Sequence, residues 1–209
     1  MKRFVLALGV MALTGALLTT SALAKTNCNG TIMGKIITGG LTVTGGDCVL
    51  QGVIVKGGIK MESGTLFACG SSISGGVHVT GGTCVVLGLG QDDLPAGCAG
   101  DTITGGVDIE NVDDSTHGGD AGAVCAAAKG NFEAENTSIT GGVRLEDNGS
   151  IQLEGDTIVG GARIDDNYSA EVDKNSITGG LRCSGNGVVE DNSQPNSVIG
   201  GKYGQCAGF

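Results

Sequence analysis

Three arginines recur at a fixed spacing in the C-terminal part of this 209-residue chain. Arg144, Arg163 and Arg182 are separated by equal steps along the sequence. Two acidic residues, Glu146 and Asp165, each follow one of these arginines by two positions. Arginine fits carboxylate and sulfate groups through two parallel hydrogen bonds. The row therefore predicts a strip that binds sulfated or uronic polysaccharide, and the alternative interpretation is a solvent-exposed face of alternating charge.

A second set of side chains, all acidic, has the spacing needed to hold a metal ion. The candidate ligands are Asp147, Asp166, Asp113 and Asp114. Glu154 and Asp173 form a further pair with the same step as the arginines. Carboxylates that stack within about 5 Å of each other can share a Ca²⁺ ion, which takes oxygen ligands. The sequence therefore gives Ca²⁺ as the candidate ion, and no other cofactor is expected.

The remaining residues contain no recognisable catalytic constellation. The two histidines, His78 and His117, have no serine or cysteine partner in a known motif. Stacked carboxylates satisfy the separation that a glycosidase needs, but any stack of acids does so. Because the chain has no Trp and few Phe or Tyr residues, aromatic platforms for sugar rings are scarce. We therefore expect a protein that is not an enzyme, with polysaccharide degradation as the alternative.

The spacing of these residues belongs to a motif, Ile-x-Gly-Gly-apolar-x-apolar, that repeats along the chain. Its first glycines are Gly39, Gly57, Gly75, Gly105, Gly141, Gly160, Gly179 and Gly200. Most of the steps between them are nearly equal, and a short constant period indicates a solenoid, because each unit buries its apolar side only by stacking on its neighbours. The longer step from Gly75 to Gly105 predicts one turn with an insertion over 85–97. The step from Gly105 to Gly141 is twice the first step and predicts two turns, with the middle one near Gly122.

Apolar and polar residues alternate within each unit, which is the two-residue period of a β-strand. Residues such as Val143, Leu145, Ile151 and Leu153 are expected to point inward and to stack on their equivalents in the next turn. The chain is therefore predicted to be all-β, a single-stranded, right-handed parallel β-helix of about nine turns over residues 25–209.

Two rows of Asn and Asp residues are predicted to form corners of this coil. The first row is Asn148, Asn167 and Asn186, and the second is Asp101, Asp156 and Asn175. Both residue types tolerate a left-handed backbone and form local hydrogen bonds, so they suit tight corners. The paired glycines turn the chain where a Cβ atom has no room.

The stacked aliphatic residues and asparagine rows resemble those of the parallel β-helix proteins over essentially all of residues 25–209. The spacing of the first repeats and the short apolar β-repeats also resemble the bactofilins, which are polymer-forming bacterial scaffold proteins. The second resemblance implies that a coil of this kind can polymerise end to end.

The two ends of the coil each contain a pair of cysteines about one turn apart. Cys28 with Cys48, and Cys183 with Cys206, are expected to form disulfides that hold the first and last turns. All eight cysteines lie after Ala24, and an even number in an exported chain predicts four disulfides.

The other four cysteines have no settled pairing in the sequence. Cys84 and Cys98 flank the predicted insertion and are candidates to close its base. Cys48 and Cys84 are predicted to take the same inward position two turns apart, which is too far for a bond between them. The pairing of Cys69, Cys84, Cys98 and Cys125 is left open.

The segment 1–24 has the features of a signal peptide. Lys2 and Arg3 precede an apolar run over 4–18, and Ala22 and Ala24 supply the small residues of a cleavage site. Cleavage leaves 10 basic and 22 acidic side chains, a net charge of −12. Such a charge disfavours nucleic acid and anionic membranes, which are bound through Lys and Arg. No integral membrane segment is expected after cleavage.

Together these features predict an exported rod, either secreted or located in the periplasm or at the cell surface. The expected function is structural or adhesive, in the envelope or the extracellular matrix, with self-association of the rod end to end. The alternative is a β-helix protein that binds or degrades polysaccharide through its outward Arg and acidic strip.

Overall fold

The protein is a parallel β-solenoid of about eight turns in the computed structural model, which describes residues 25–88, 99–113 and 131–209. Every strand pair between its elements is parallel, and the strands form a 15-stranded sheet and an 8-stranded sheet. This confirms the predicted all-β, parallel β-helix class, while the right-handed winding stays a prediction.

The larger sheet contributes two faces of the coil, because β4 (Leu41–Gln51) and β6 (Ile59–Cys69) run on from one face to the next. The arginine face contains β1 (Thr26–Asn27), β8 (Val77–Val79), β11 (Val107–Glu110), β14 (Val143–Glu146), β17 (Ala162–Asp165), β20 (Leu181–Ser184) and β23 (Lys202–Gly204). The acidic face contains β2 (Gly30–Met33), β9 (Cys84–Leu87), β12 (Phe132–Glu135), β15 (Ser150–Glu154), β18 (Ser169–Asp173) and β21 (Val188–Glu190).

The smaller sheet forms a third face, the hydroxyl face. Its strands are β3 (Ile36–Ile37), β5 (Ile54–Lys56), β7 (Ser72–Ser74), β10 (Thr102–Thr104), β13 (Ser138–Thr140), β16 (Thr157–Val159), β19 (Ser176–Thr178) and β22 (Ser197–Ile199). From β7 to β19 each strand buries its central residue and exposes mainly Ser or Thr on either side. This face therefore presents few charges to solvent.

The register of the hydroxyl face corrects the predicted number of turns. Ile103 in β10 pairs directly with Ile139 in β13, and Val107 pairs with Val143 on the arginine face. No turn therefore lies between them, and the prediction of a hidden turn near Gly122 is wrong. The step from Gly105 to Gly141 is one turn with additional residues, of which 114–130 lie outside the described part of the chain.

The first residues of the predicted insertion over 85–97 belong to a strand of the coil. The segment 84–87 forms β9, which pairs with β6 on one side and β12 on the other. The segment 89–97 lies outside the described residues.

A single apolar core runs along the inside of the coil. The residues predicted to point inward are buried, and Leu145 and Leu153 have no exposed surface. Burial of such side chains contributes roughly 25 cal/mol per Å² of apolar surface. Because each layer of Ile, Val, Leu and Ala packs against the next layer, the core holds the turns at a constant spacing.

A second, smaller cluster of buried apolar residues lies outside this core. Phe67, Cys69, Cys84 and Val86 belong to it, with Val49 packed against them. The register stacks Cys48 on Leu66 and Leu66 on Val85. The prediction that Cys84 shares the inward position of Cys48 is therefore wrong by one position, and a shift of one position moves a side chain to the other side of a strand.

Disulfides fasten both ends of the coil. Cys28 is bonded to Cys48, and Cys183 is bonded to Cys206, as the sequence predicted. Cys84 is also disulfide-bonded, and its proposed partner Cys98 lies outside the described residues. Disulfides persist in oxidising compartments, which indicates an extracellular or otherwise oxidising location.

The asparagine corner joins the arginine face to the acidic face. Asn148, Asn167 and Asn186 are buried there, and each accepts a hydrogen bond at Oδ1 from the backbone N–H of the equivalent residue one turn earlier. Each Nδ2 atom also donates to a strand carbonyl, as Asn167 does to Leu145 at 3.1 Å. Gln205 continues the row at the C-terminal end.

The mixed corner joins the acidic face to the hydroxyl face. Its row has the order Ser71, Asp101, Thr137, Asp156, Asn175 and Asn196, and from Asp101 onward each side chain accepts the N–H of the preceding member. Burial raises the pKa of Asp101 to about 7, although the backbone hydrogen bonds that it accepts from Ser71 and Gly88 act to lower this pKa. Burial also raises the pKa of Asp156 well above its usual value.

Candidate functional site

The glycine corner joins the hydroxyl face to the arginine face and contains no side chains. At Gly160 the backbone φ is +120°, and a Cβ atom would lie 2.5 Å from the backbone nitrogen of Gly142 in the neighbouring turn. At Gly161 a Cβ atom would lie 2.7 Å from the carbonyl oxygen of Gly179. Only glycine fits this spacing. Because the corner lacks side chains, the surface recedes into a groove of about 890 Å³ along the rod.

The row of arginines forms one wall of this groove. The register pairs Arg144 with Arg163, and Arg163 with Arg182, so the equal spacing stacks them as predicted. The row is preceded by His78 and Asp108 in the same register and followed by Tyr203.

Carboxylates surround the first arginine of the row. Arg144 Nη1 donates to Asp108 Oδ1 at 3.0 Å and also to Glu110, and its Nη2 atom donates to Glu146. These contacts raise the pKa of Arg144, and the hydrogen bond to Glu110 is the largest cause. The positive charge of Arg144 is therefore already compensated within the protein.

The next two arginines have fewer partners. Arg163 is exposed and pairs with Asp165, a contact that raises the arginine pKa. Arg182 is exposed and has no carboxylate within 4.0 Å among the described residues. Glu146 and Asp165 thus act as ion-pair partners of the arginines that they follow in sequence.

The reason for the difference is visible in the register. Glu110, Glu146, Asp165 and Ser184 stack on one another, two positions after the row that contains the arginines. The serine therefore occupies the place from which a carboxylate would pair with Arg182. This substitution leaves the C-terminal end of the arginine row uncompensated.

A tyrosine closes the groove beside Arg182. Tyr203 is 55% exposed, and its hydroxyl donates to the Gly200 carbonyl oxygen at 2.8 Å. Its ring lies across the glycine corner, since a Cβ atom on Gly180 would be 3.6 Å from Tyr203 Cε2. Tyr203 is not among the site residues predicted from the sequence, although the step from Arg182 to Tyr203 equals the last step of the repeat, from Gly179 to Gly200.

The predicted metal ligands gather at the asparagine corner. Asp113, Asp147 and Asp166 line one hollow of about 630 Å³ together with Tyr168. Asp147 and Asp166 have left-handed backbone, with φ values of 55° and 56°. Asp114 lies outside the described residues.

The tightest group of potential metal ligands among the described residues lies instead on the acidic face. One ligand atom each from Glu154, Glu171 and Asp173 lies within 4.8 Å of the others. Gln152 Nε2 donates to Glu154 at 3.0 Å, and Lys174 also pairs with Glu154. This acidic cluster has the oxygen donors to hold a metal ion. Glu171 was missed, although it stands two positions before Asp173 in the same strand, β18.

One of the two histidines lies in the described part of the chain. His78 Nδ1 is 3.0 Å from Asp108 Oδ2 on the exposed arginine face, and Asp108 also contacts Arg144. His117 lies outside the described residues. The prediction of a protein without enzymatic activity stays a prediction.

Comparison with known proteins adds no family to these observations. No protein-family model matches the chain, and no curated protein or solved structure is significantly similar to it. The resemblance to bactofilins therefore stays a prediction, whereas the parallel solenoid is a property of the structure. In the described ranges, no helix has the length and apolar character needed to cross a bilayer.

Proposed function

We propose that the protein is an exported structural rod of the cell envelope or extracellular matrix, secreted or held in the periplasm or at the cell surface. The observation that carries this proposal is the continuous solenoid core, which disulfides fasten at both ends. Such a coil resists fraying outside the cell, because a disulfide restricts the unfolded state at the point where the turns would open. A rigid, repetitive surface suits adhesion or support.

We further propose that rods associate end to end. The first strand of the hydroxyl face exposes Ile36, and its last strand exposes Ile199, to 62% and 71%. Both strands are edges of the 8-stranded sheet, and sheet edges offer unpaired backbone groups to another chain. The 3-10 helix η1 (Gln205–Gly208) packs mainly against β20 and β23, on the arginine face.

Light scattering over a concentration series tests the association. The purified chain over 25–209 should grow in mass with concentration, and Ile36→Lys and Ile199→Lys should each prevent this growth. Val159→Lys is the matched control, because Val159 is 46% exposed in the middle of the same face. A strictly monomeric protein at high concentration, with and without Ca²⁺, would overturn the proposal of self-association.

We propose Ca²⁺ as the ion for the acidic cluster, since carboxylate oxygens are its usual ligands. The three carboxylates of Glu154, Glu171 and Asp173 support this choice. Thermal unfolding with Ca²⁺ should occur at a higher temperature than with chelator, and Glu171→Gln should remove the difference. An equal unfolding temperature in both conditions would contradict Ca²⁺ binding to the folded protein.

A second candidate function is the binding of anionic polysaccharide along the glycine corner. The observation that favours it is the groove beside Arg163 and Arg182, whose side chains are exposed. Arginine recognises carboxylate and sulfate groups in a bidentate manner. Retention on an anionic glycan column should fall with salt and should be lost when Arg144, Arg163 and Arg182 are all replaced by Ala. Unchanged retention of the triple variant would contradict this function.

A further inference from the structure

We propose that an acidic sugar binds at one end of the groove only, between Arg182 and Tyr203. This inference rests on the second candidate function and names its binding residues and ligand class. The ligand is a sugar ring that carries a carboxylate or a sulfate, stacked on the tyrosine and paired with the arginine.

The ion pairs of the arginine row exclude Arg144 as the residue that binds the anion and favour Arg182. Arg144 already donates to Asp108, Glu110 and Glu146, so an incoming anion would have to displace three carboxylates. Arg163 has one such partner, Asp165. The guanidinium of Arg182 has none among the described residues, so the N–H donors along its edge are available for a bidentate contact.

Among the three turns that carry an arginine, only the turn of Arg182 lacks an acidic residue two positions later. Glu110, Glu146 and Asp165 occupy one stacked position, and Ser184 follows them in the same register. Ser184 is exposed and lines the groove. The pairing of arginines with carboxylates therefore ends at Arg182, the arginine next to Tyr203.

Tyr203 supplies an ordered surface for the sugar ring. It pairs with Arg182 in register on the adjacent strand, which places the two residues about 4.8 Å apart along the rod. The hydrogen bond from its hydroxyl to Gly200 fixes the ring over the glycine corner, with more than half of the side chain exposed. The C–H groups of a pyranose pack against an aromatic face of this kind, and a fixed ring loses little entropy on binding.

The backbone of the glycine corner forms the floor of this end of the groove and offers the ligand no free N–H groups from Gly179 and Gly180. The backbone N–H groups of Gly179 and Gly180 both donate to the Ile199 carbonyl oxygen, at 2.8 and 3.2 Å. They are therefore engaged within the coil and do not compete for the anion. Arg182 therefore binds the anionic group of the ligand, and Tyr203 packs against its sugar ring.

Titration of polygalacturonate oligosaccharide into the purified protein tests the site, with dextran sulfate as the sulfate-bearing probe and dextran as the neutral one. Ser184→Asp restores the missing carboxylate without removing Arg182 or Tyr203, and Asp165 shows that the coil accommodates Asp at this position. We expect Ser184→Asp and Arg182→Gln each to weaken binding of the acidic probe at least about tenfold, the loss typical of a charge-assisted contact. Tyr203→Ala should weaken it about fivefold through lost ring packing.

The matched control is Ser138→Asp, which adds the same charge on the exposed hydroxyl face and should bind as the wild type does. Binding by Ser184→Asp at wild-type affinity would overturn the Arg182 site. So would a loss of binding that follows Arg144→Gln in place of Arg182→Gln, although the groove function would then stand. If the wild-type protein binds neither acidic probe, both the groove function and this site are overturned. A preference between the two acidic probes identifies the ligand as a uronic or a sulfated sugar.

Discussion

The asparagine corner and the glycine corner turn the same chain by opposite means. At the asparagine corner, buried amides fill the space inside the bend and connect successive turns, as Asn148 Nδ2 does with Asn167 Oδ1 at 2.9 Å. At the glycine corner the backbone alone makes the bend, and the N–H groups of Gly160 and Gly161 share the Thr178 carbonyl oxygen. One corner therefore carries polar side chains inward, and the other leaves a recess outside.

The difference separates the residues that hold the coil from those available to a partner. Removal of a buried amide leaves backbone groups of two turns unpaired, whereas Arg163 and Arg182 beside the glycine corner are exposed and can change without loss of packing. Stability and binding should therefore respond to different substitutions in the same turns.

The largest effect is expected from Asn167→Ala at the asparagine corner. This change removes the acceptor for the Asn148 N–H and the donor to the Leu145 carbonyl oxygen, and it leaves buried polar atoms without partners. We expect a loss of about 4 kcal/mol in the free energy of unfolding, measured by urea denaturation. Thr104→Ala, on the exposed hydroxyl face, should change it by less than about 0.5 kcal/mol. Equal effects of the two variants would show that the amide row is dispensable.

The glycine corner should break under the addition of a single methyl group. Gly160→Ala places a Cβ atom 2.5 Å from the backbone nitrogen of Gly142, and that backbone is held by the next turn. We expect a loss of about 3 kcal/mol, from the steric contact and the left-handed backbone together. Gly208→Ala is the matched control, because nothing lies within 4 Å of its Cβ position. A Gly160→Ala protein with wild-type stability would show that the turns can separate without cost.

The mixed corner offers a smaller and pH-dependent test of the buried polar rows. Asp156 stands where the next two members of its row are Asn, and its Oδ2 atom is buried without a hydrogen-bond partner among the described residues. The equivalent Nδ2 atom of Asn175 donates to the Leu153 carbonyl oxygen at 2.8 Å. Ala134 pairs with Leu153 in register. Asp156→Asn would therefore place an Nδ2 donor near the Ala134 carbonyl oxygen.

The sign of the pH dependence follows from the direction of the shift. Burial raises the pKa of Asp156, and Glu135, Glu154 and Glu133 raise it further, so the folded protein holds a proton that the unfolded chain releases above about pH 4. Folding stability therefore falls as the pH rises from the unfolded pKa towards the folded one, by up to about 1.4 kcal/mol per pH unit. Below the unfolded pKa both states are protonated and this penalty is absent.

Asp156→Asn should remove this dependence. Denaturant unfolding at a series of pH values should show the variant to be more stable than the wild type at neutral pH, with a gap that closes towards about pH 4. Asp147→Asn, at an exposed carboxylate with left-handed backbone, is the control and should change stability by less than about 0.5 kcal/mol. A gap that stays constant with pH would mean that Asp156 is not the buried acid responsible.

Periodicity made much of this architecture predictable from the sequence. A short constant repeat fixes the register, so Arg144, Arg163 and Arg182 had to stack if the coil formed. The same reasoning placed the asparagine row inside a corner and the two terminal disulfides across adjacent turns.

The errors arose where length alone cannot identify structure. The step from Gly105 to Gly141 has the length of two ordinary turns, and only the pairing of Ile103 with Ile139 shows that it is one turn. The shift of Cys84 has the same origin, because the turn from Leu66 to Val85 is one position longer than the first repeats. Side-chain contacts such as that of Tyr203 with Gly200 depend on rotamers, which the repeat does not specify.

The decisive measurement is the polygalacturonate affinity of Ser184→Asp together with its urea midpoint. It tests whether binding depends on residues beside the glycine corner while stability depends on the asparagine corner. We predict an unchanged midpoint, because Ser184 is exposed, together with an affinity at least about tenfold weaker, because a carboxylate then pairs with Arg182. Wild-type affinity, or a loss of affinity that only accompanies a lower midpoint, would contradict this prediction.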